Sequence, residues 1–278
     1  MENKHKKFIR RSLYLAKKGI GKVFPNPMVG CVIVKKNKII GEGYHKKFGS
    51  AHAEIIAINN VINKKDIEGA SIYVNLEPCS HFGKTPPCTD KIIEYKPKEV
   101  IISNTDPNPL VNGKGIKKLK NNNINVVSGV LEKKGKKLNK RFFVNQEKKR
   151  PYVILKWAET SDGFIAKEDG TSKWISCKTS RTLVHKWRSE ETGILIGVNT
   201  ANKDNARLNV RLWEGRNPTR IIIDPNNKLQ EKTNVLSDQS TSLIYNKTKN
   251  KIRGQKIFIK ISPFNLENIY SDLNKREI

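Results

Sequence analysis

His52-Ala53-Glu54, Glu77-Pro78-Cys79 and Pro87-Cys88 are the stretches on which the reading of this 278-residue chain turns. One imidazole and two thiolates suit a tetrahedral zinc ion whose fourth position stays open. A carboxylate two residues after the His, itself no ligand, is what a zinc deaminase needs to move protons. The general signature is H-x-E followed by P-C-x-x-C, whereas here Cys88 comes nine residues after Cys79. The longer loop leaves the ligand set intact. Two plainer readings compete: a structural zinc site, and two unrelated buried cysteines. A structural site closes with four protein ligands, and His81 in the loop would be the fourth. A catalytic zinc requires that His81 stay off the metal.

Outward from these stretches, hydrophobic period and turn residues predict alternating elements. Phe8, Ser12, Ala16 and Ile20 recur every fourth residue and predict an opening helix, ended by Gly19 and Gly21. Strands are predicted over 29–34 and 38–43, joined as a hairpin at Lys35-Lys36-Asn37. Pro25-Asn26-Pro27 before them excludes helix, and the Asn26 amide can both donate and accept. A helix is predicted over 52–62, and His52 and Glu54 can face one metal only if His52 sits in its irregular first turn. A strand over 72–76 delivers Cys79, and Cys88 opens a helix, which puts both thiols near helix starts. A further strand over 99–103 leads into Asp106-Pro107-Asn108-Pro109, then a short helix over 116–120 and a strand from Val126. Such alternation predicts an α/β sheet covered on both faces, with ligands beyond the carboxyl ends of its strands. The loop residues Lys84 and Thr85 offer a cation and a hydroxyl to a phosphate or ring oxygen.

A basic helix over 131–146 precedes Glu147-Lys148-Lys149-Arg150-Pro151, which reads as a seam between domains 1–149 and 150–278. Beyond it, strands are predicted over 152–158, 193–198, 219–224, 243–245 and 256–261. A helix containing 181–188 is expected to bury Leu183, Val184 and Trp187. No G-x-G-x-x-G follows any of these strands, so no Rossmann dinucleotide site is indicated.

The formal net charge is +28, from 54 Lys and Arg against 26 Asp and Glu. The lysines are spread along the chain rather than gathered into one stripe with interleaved aromatics, so nucleic acid is not the expected partner. The charge still favours phosphorylated ligands. Two of the four cysteines serve as metal ligands, which leaves no disulfide framework and points to a reducing cytoplasm. No apolar run approaches spanning length, and no membrane partner is expected.

Pro25-Asn26-Pro27-Met28-Val29-Gly30, the run from Glu77 to Cys88 and Asp106-Pro107-Asn108-Pro109 together resemble the bifunctional riboflavin-biosynthesis deaminase–reductases of the RibD family. The resemblance continues through 150–158, Ser172-Lys173-Trp174-Ile175 and Gly197-Val198-Asn199-Thr200. It implies a cytidine-deaminase-like three-layer α/β/α domain followed by a dihydrofolate-reductase-like α/β domain. It implies hydrolytic deamination of 2,5-diamino-6-ribosylamino-4(3H)-pyrimidinone 5′-phosphate, with zinc on His52, Cys79 and Cys88 and Glu54 catalytic. By the same resemblance Asn26, His45, Lys84, Thr85, Asp106 and Asn108 hold that substrate. NADPH would then reduce the ribosyl chain to ribityl. Ala158, Trp174, Thr200 and Asp204 would contact the cofactor, and Ser172, Arg188, Leu208 and Arg211 the phosphorylated substrate. The pattern is broken at Ser161, where the family has Leu, and at Asp204-Asn205-Ala206, where it has Asp-Asp-Pro. The sequence also stops at Ile278, before a glycine-rich segment, so the expectation is a shortened reductase domain with weak or absent reduction. The alternatives to this reading are a zinc deaminase acting on a base in RNA and a zinc-stabilised binding module without turnover. A homo-oligomer is compatible with either.

Overall fold

The computed structural model describes residues 2–83, 86–170 and 174–278. The chain divides into two units, Met1–Tyr152 and Val153–Ile278. The first is built from α1 (Glu2–Lys17), β1 (Gly30–Lys35), β2 (Lys38–Tyr44), α2 (Ala53–Asn59), β3 (Ser71–Leu76), α3 (Cys88–Glu94), β4 (Glu99–Asn104), α4 (Lys114–Asn121), β5 (Asn125–Val127), α5 (Glu132–Leu138) and α6 (Lys140–Lys148). Its sheet runs β2-β1-β3-β4-β5. β1 is antiparallel to both neighbours, while β3, β4 and β5 are parallel. Lys36 and Asn37 both take positive φ, as a two-residue hairpin turn requires.

Nearly unbroken apolar strands are explained by the two faces they serve. Cys31, Ile33, Ile72, Val74, Val100 and Ile102 pack with Ala57, Ile58, Ile92 and Leu119 from α2, α3 and α4. The alternate residues Val32, Val34, Tyr73 and Ile101 meet Phe8, Ile9 and Leu15 of α1. The helix expected over 131–146 is two helices, α5 and α6. They part at Asn139, whose buried side chain bonds the backbone of Met28.

The second unit carries α7 (Lys178–Glu190), β6 (Gly193–Gly197), α8 (Val198–Lys203), β7 (Thr219–Ile223), α9 (Asn234–Ser237), β8 (Ser242–Asn246), β9 (Lys251–Arg253), β10 (Lys256–Lys260) and α10 (Leu266–Lys275). Its sheet runs β6-β7-β8-β10-β9, parallel except for β9. Ile221, Leu243, Tyr245 and Ile259 face α10, and Ile222 and Ile244 face Ala201 of α8 and Val235 of α9. Two expectations fail here. Residues 152–158 form no strand, because β-branched composition makes a strand only where a ladder partner takes its backbone groups. Val153, Ile154, Leu155 and Trp157 are accordingly exposed. Within α7, Leu183 and Trp187 are exposed, and the buried residues are His185 and Ser189. No helix among the described residues is long and apolar enough to cross a membrane.

Candidate active site

Three elements of the first unit converge beyond the carboxyl end of β3. The strand stops at Leu76, and Pro78, without an N–H for the ladder, sends the chain outward to Cys79. Pro87 precedes α3, whose first residue is Cys88. His52 is the N-cap of α2, with extended backbone (φ −71°, ψ 162°), and Glu54 lies in the first turn. That extended residue lets both side chains face one point, as the sequence requires.

His52 Nδ1 lies 3.2 Å from Cys88 Sγ and 3.6 Å from Cys79 Sγ. The three ligand atoms all fall within 4.8 Å of one another. Around a tetrahedral zinc with ordinary Zn–N and Zn–S bonds, an N···S edge is about 3.6 Å. The donor set therefore fits the metal in both chemistry and spacing. His81 is not among these three, and its Nδ1 is buried without a partner among the described residues.

Charges within the cluster are strongly coupled. The Cys79 thiol is pulled down to about 4, first by the hydrogen bond from Cys88 and then, against burial, by His52. Cys88 is pushed well up by that bond to Cys79, and by burial. His52 rises to about 8, chiefly through its bond to Cys79. A dication in place would draw the protons from both thiols. Contrary to the sequence expectation, Cys79 lies in a loop and not at a helix start. The backbone N–H of Cys88 donates to its sulfur at 3.3 Å and supplies part of the stabilisation instead. Glu54 is 3 % exposed. Burial pushes it up to about 7, and the charge of His52 holds it below where burial alone would take it.

Two loops flank the cluster. Asn26 Nδ2 donates to His45 Nε2 at 3.1 Å, and His45 Nδ1 donates to the Ala51 carbonyl at 3.1 Å. Burial lowers the His45 pKa, so the ring is neutral, in the tautomer these bonds require. The segment after Asn26 is held by two buried amides that the sequence did not single out. Asn139 Oδ1 accepts from Met28 N–H, Asn75 Oδ1 accepts from Gly30 N–H, and both amide groups donate to the Met28 carbonyl. In the second loop, Asp106 accepts from Asn108 N–H at 2.8 Å, and Asn108 accepts from Leu110 N–H at 3.0 Å. Burial pushes Asp106 up to about 7 against that bond. Glu77, buried at the end of β3, accepts from the backbone of Asp106, Gly113 and Ile116. The signal for Glu77 was its place beside Pro78-Cys79. Lys84 and Thr85 lie outside the described residues.

In the second unit Arg188 and Arg211 meet around Asn209, the first on its carbonyl at 2.6 Å and the second on its Oδ1 at 3.1 Å. Leu208 is buried beside them, with φ +52°. Burial and the neighbouring Arg211 lower the Arg188 pKa, and Arg188 Nε is buried without a partner among the described residues. Two guanidinium groups brought this close could fork an anion. Thr200 and Asp204 lie one turn apart, with Asp204 N–H donating to the Thr200 carbonyl. Trp174 is 74 % exposed, with the Arg181 guanidinium 4.0 Å over its ring. Ala158 lies in the unpaired segment, and Ser172 falls outside the described residues.

Residues 2–104 match the family model of the cytidine and deoxycytidylate deaminase zinc-binding region, and 151–278 that of the RibD C-terminal domain. The riboflavin biosynthesis protein RibD of Aquifex aeolicus is 44 % identical over 98 % of this chain and 78 % of its own length. That of Actinobacillus pleuropneumoniae is 46 % identical over 78 % of this chain, but the match spans only 57 % of the relative. Among solved structures, a Thermotoga maritima protein superposes with a TM-score of 0.91 at 42 % identity, over 100 % of this chain and 79 % of that one. It is described as a diaminohydroxyphosphoribosylaminopyrimidine deaminase/5-amino-6-(5-phosphoribosylamino)uracil reductase. Acinetobacter baumannii RibD superposes equally well, TM-score 0.91, at 34 % identity over 99 % of this chain and 78 % of that one.

Proposed function

The chain belongs to the RibD family of riboflavin-biosynthesis enzymes, a zinc-dependent deaminase joined to an NADPH-dependent reductase, and from that premise we propose how its own residues divide the work. The substrate of the first step is 2,5-diamino-6-ribosylamino-4(3H)-pyrimidinone 5′-phosphate. His52, Cys79 and Cys88 hold zinc, which when bound supplies the Lewis acidity that makes water a nucleophile near neutral pH. Glu54 moves the protons. Its carboxylate takes one from the attacking water as the C2–O bond forms and passes it to the ring nitrogen, then takes the second from the new C2 hydroxyl and passes it to the departing amine. The C2–N bond then breaks and ammonia leaves. Asn26, oriented by His45, reads the pyrimidine edge, and Asp106 and Asn108 bind from the second loop, with Lys84 and Thr85 from the loop between the cysteines.

The observation that carries this reading is the meeting of three zinc-type ligands with a buried carboxylate. In the second unit, Arg188, Leu208 and Arg211, with Ser172, take the phosphorylated product of the first step. NADPH, when bound, would be held by Ala158, Trp174, Thr200 and Asp204 and would supply the hydride that converts the ribosyl C1 to give the ribityl chain. Four unpaired cysteines suit a reducing cytoplasm. The test is to incubate the zinc-loaded protein with the pyrimidine phosphate, with and without NADPH, and identify products by mass. Ammonia and a uracil-type product are expected without NADPH, and the ribityl product only with it. An unchanged substrate would overturn the proposal.

A further inference from the structure

Asn75, Glu77 and Cys79 alternate along the end of β3 and the residues that leave it, and the middle one has no part in the chemistry above. Glu77 is 4 % exposed. Its Oε2 accepts from Asp106 N–H at 3.2 Å and from Gly113 N–H at 2.9 Å, and its Oε1 accepts from Ile116 N–H at 3.1 Å. Those three donors bracket the segment that bears Asp106 and Asn108 and the first turn of α4. The same segment is pressed onto Glu77-Pro78 from outside. A Cβ on Gly115 would stand 2.2 Å from the Pro78 carbonyl oxygen and 3.2 Å from Glu77 Oε1, so only glycine permits this approach. A buried carboxylate is costly unless its hydrogen bonds are made, and a neutral amide could not serve both oxygens. One of its oxygens would become an NH₂ facing a backbone N–H.

We propose that Glu77 is a positioning residue for deamination: by accepting these three N–H groups it fixes Asp106 and Asn108 at a set distance from Cys79, and so governs substrate binding rather than proton transfer. This rests on the reading of Asp106 and Asn108 as substrate ligands. The link is short. Glu77 is two residues from a metal ligand, and the backbone of Asp106 is one of its donors.

The experiment uses the full chain, zinc-loaded, and follows ammonia release from the pyrimidine phosphate. Glu77→Gln is expected to keep one zinc per chain, to hold kcat near wild type and to raise KM by about tenfold, the effect of one buried donor left facing another. Asp106→Asn should raise KM too, and the double variant should raise it by less than the product of the two single effects, because Glu77 acts in part through Asp106. A Glu77→Gln protein with normal KM, one that loses kcat instead, or a double variant whose defects multiply would each overturn the proposal. If Glu77→Gln does not fold, Glu77→Asp keeps the charge but draws it back by one methylene, and is held to the same split. Loss of zinc in both variants would make Glu77 part of the metal scaffold and refute the assignment. Wild-type protein that releases no ammonia would instead sink the functional reading itself.

Discussion

At Glu54 burial and charge pull in opposite directions. Desolvation penalises the carboxylate and raises it to about 7, while the neighbouring His52 favours it. In the role proposed for it, this buried carboxylate takes a proton from water and gives it back. Glu54→Gln preserves shape and removes the exchange. Zinc content by metal analysis should stay at one per chain while deamination falls by roughly 10²–10⁴-fold. Cys79→Ala or Cys88→Ala should lose the metal as well, which separates the two kinds of failure. The second unit offers a residue-scale test of a different kind. Arg220 is 1 % exposed, and its guanidinium is forked by Asp238 at 2.7 and 2.6 Å. The Arg220 hydrogen bonds hold Asp238 well below the usual carboxylate range. A depressed folded pKa means that the stabilisation is whole above the unfolded value of about 3.9 and drains away as pH falls below it. Asp238→Asn should therefore cost about 1.5–3 kcal/mol at pH 7, toward the lower figure because Asp238 is half-exposed and water screens the pair. Thermal unfolding at pH 7 and at pH 2 checks the sign, since the gap between variant and wild type must narrow in acid.

Elements bring residues to the metal, and here glycine decides how closely. β2 carries Gly41 and Gly43 beneath α2. A Cβ on Gly43 would lie 2.6 Å from Ala57 N and 2.8 Å from the Ala53 carbonyl oxygen. Gly43→Ala should therefore push the first turn of α2, with His52 and Glu54, away from Cys79 and Cys88. Overpacking of this kind costs about 1–3 kcal/mol. Competition against a chromophoric chelator should show weaker zinc binding, with no change for Gly197→Ala in the second unit, where φ is −77° and a Cβ meets nothing within 4 Å. The cluster of His52, Cys79 and Cys88 and the paired α/β elements around it were legible in the sequence, because His and Cys have few roles and apolar runs have a period. The supports were not. Asn75 and Asn139 bond backbone 45–111 positions away, and nothing local in an Asn distinguishes such a clamp from a turn. Residues 152–158 misled for the converse reason: their composition is strand-like, but a strand also needs a partner that local sequence does not show.

On the scale of the molecule, the question is how much chain the deaminase needs. The zinc-binding family model ends at residue 104, and every ligand-type residue of the cluster lies before it. The packing says more is required. Phe142 and Phe143 of α6 bury themselves against Leu76 and Val29, directly behind the turn that carries Glu77 to Cys79. Asn139, at the junction of α5 and α6, donates to and accepts from Met28 in the loop that follows Asn26. Burying two phenylalanines contributes roughly 3–6 kcal/mol, a large part of the 5–15 kcal/mol by which a domain of this size is ordinarily stable. A fragment spanning residues 1–152 keeps both clusters of the sheet, both amide clamps and α6, and should fold by itself, bind one zinc and release ammonia with the kcat and KM of the full chain. A fragment ending at residue 138 loses Asn139 and α6, and should melt well below the longer one and hold zinc poorly. Calorimetry and metal analysis on the two fragments decide it. A fragment of residues 1–138 as stable and as active as 1–152 would show that α6 merely decorates the domain, and an inactive 1–152 would show that deamination depends on residues beyond Tyr152.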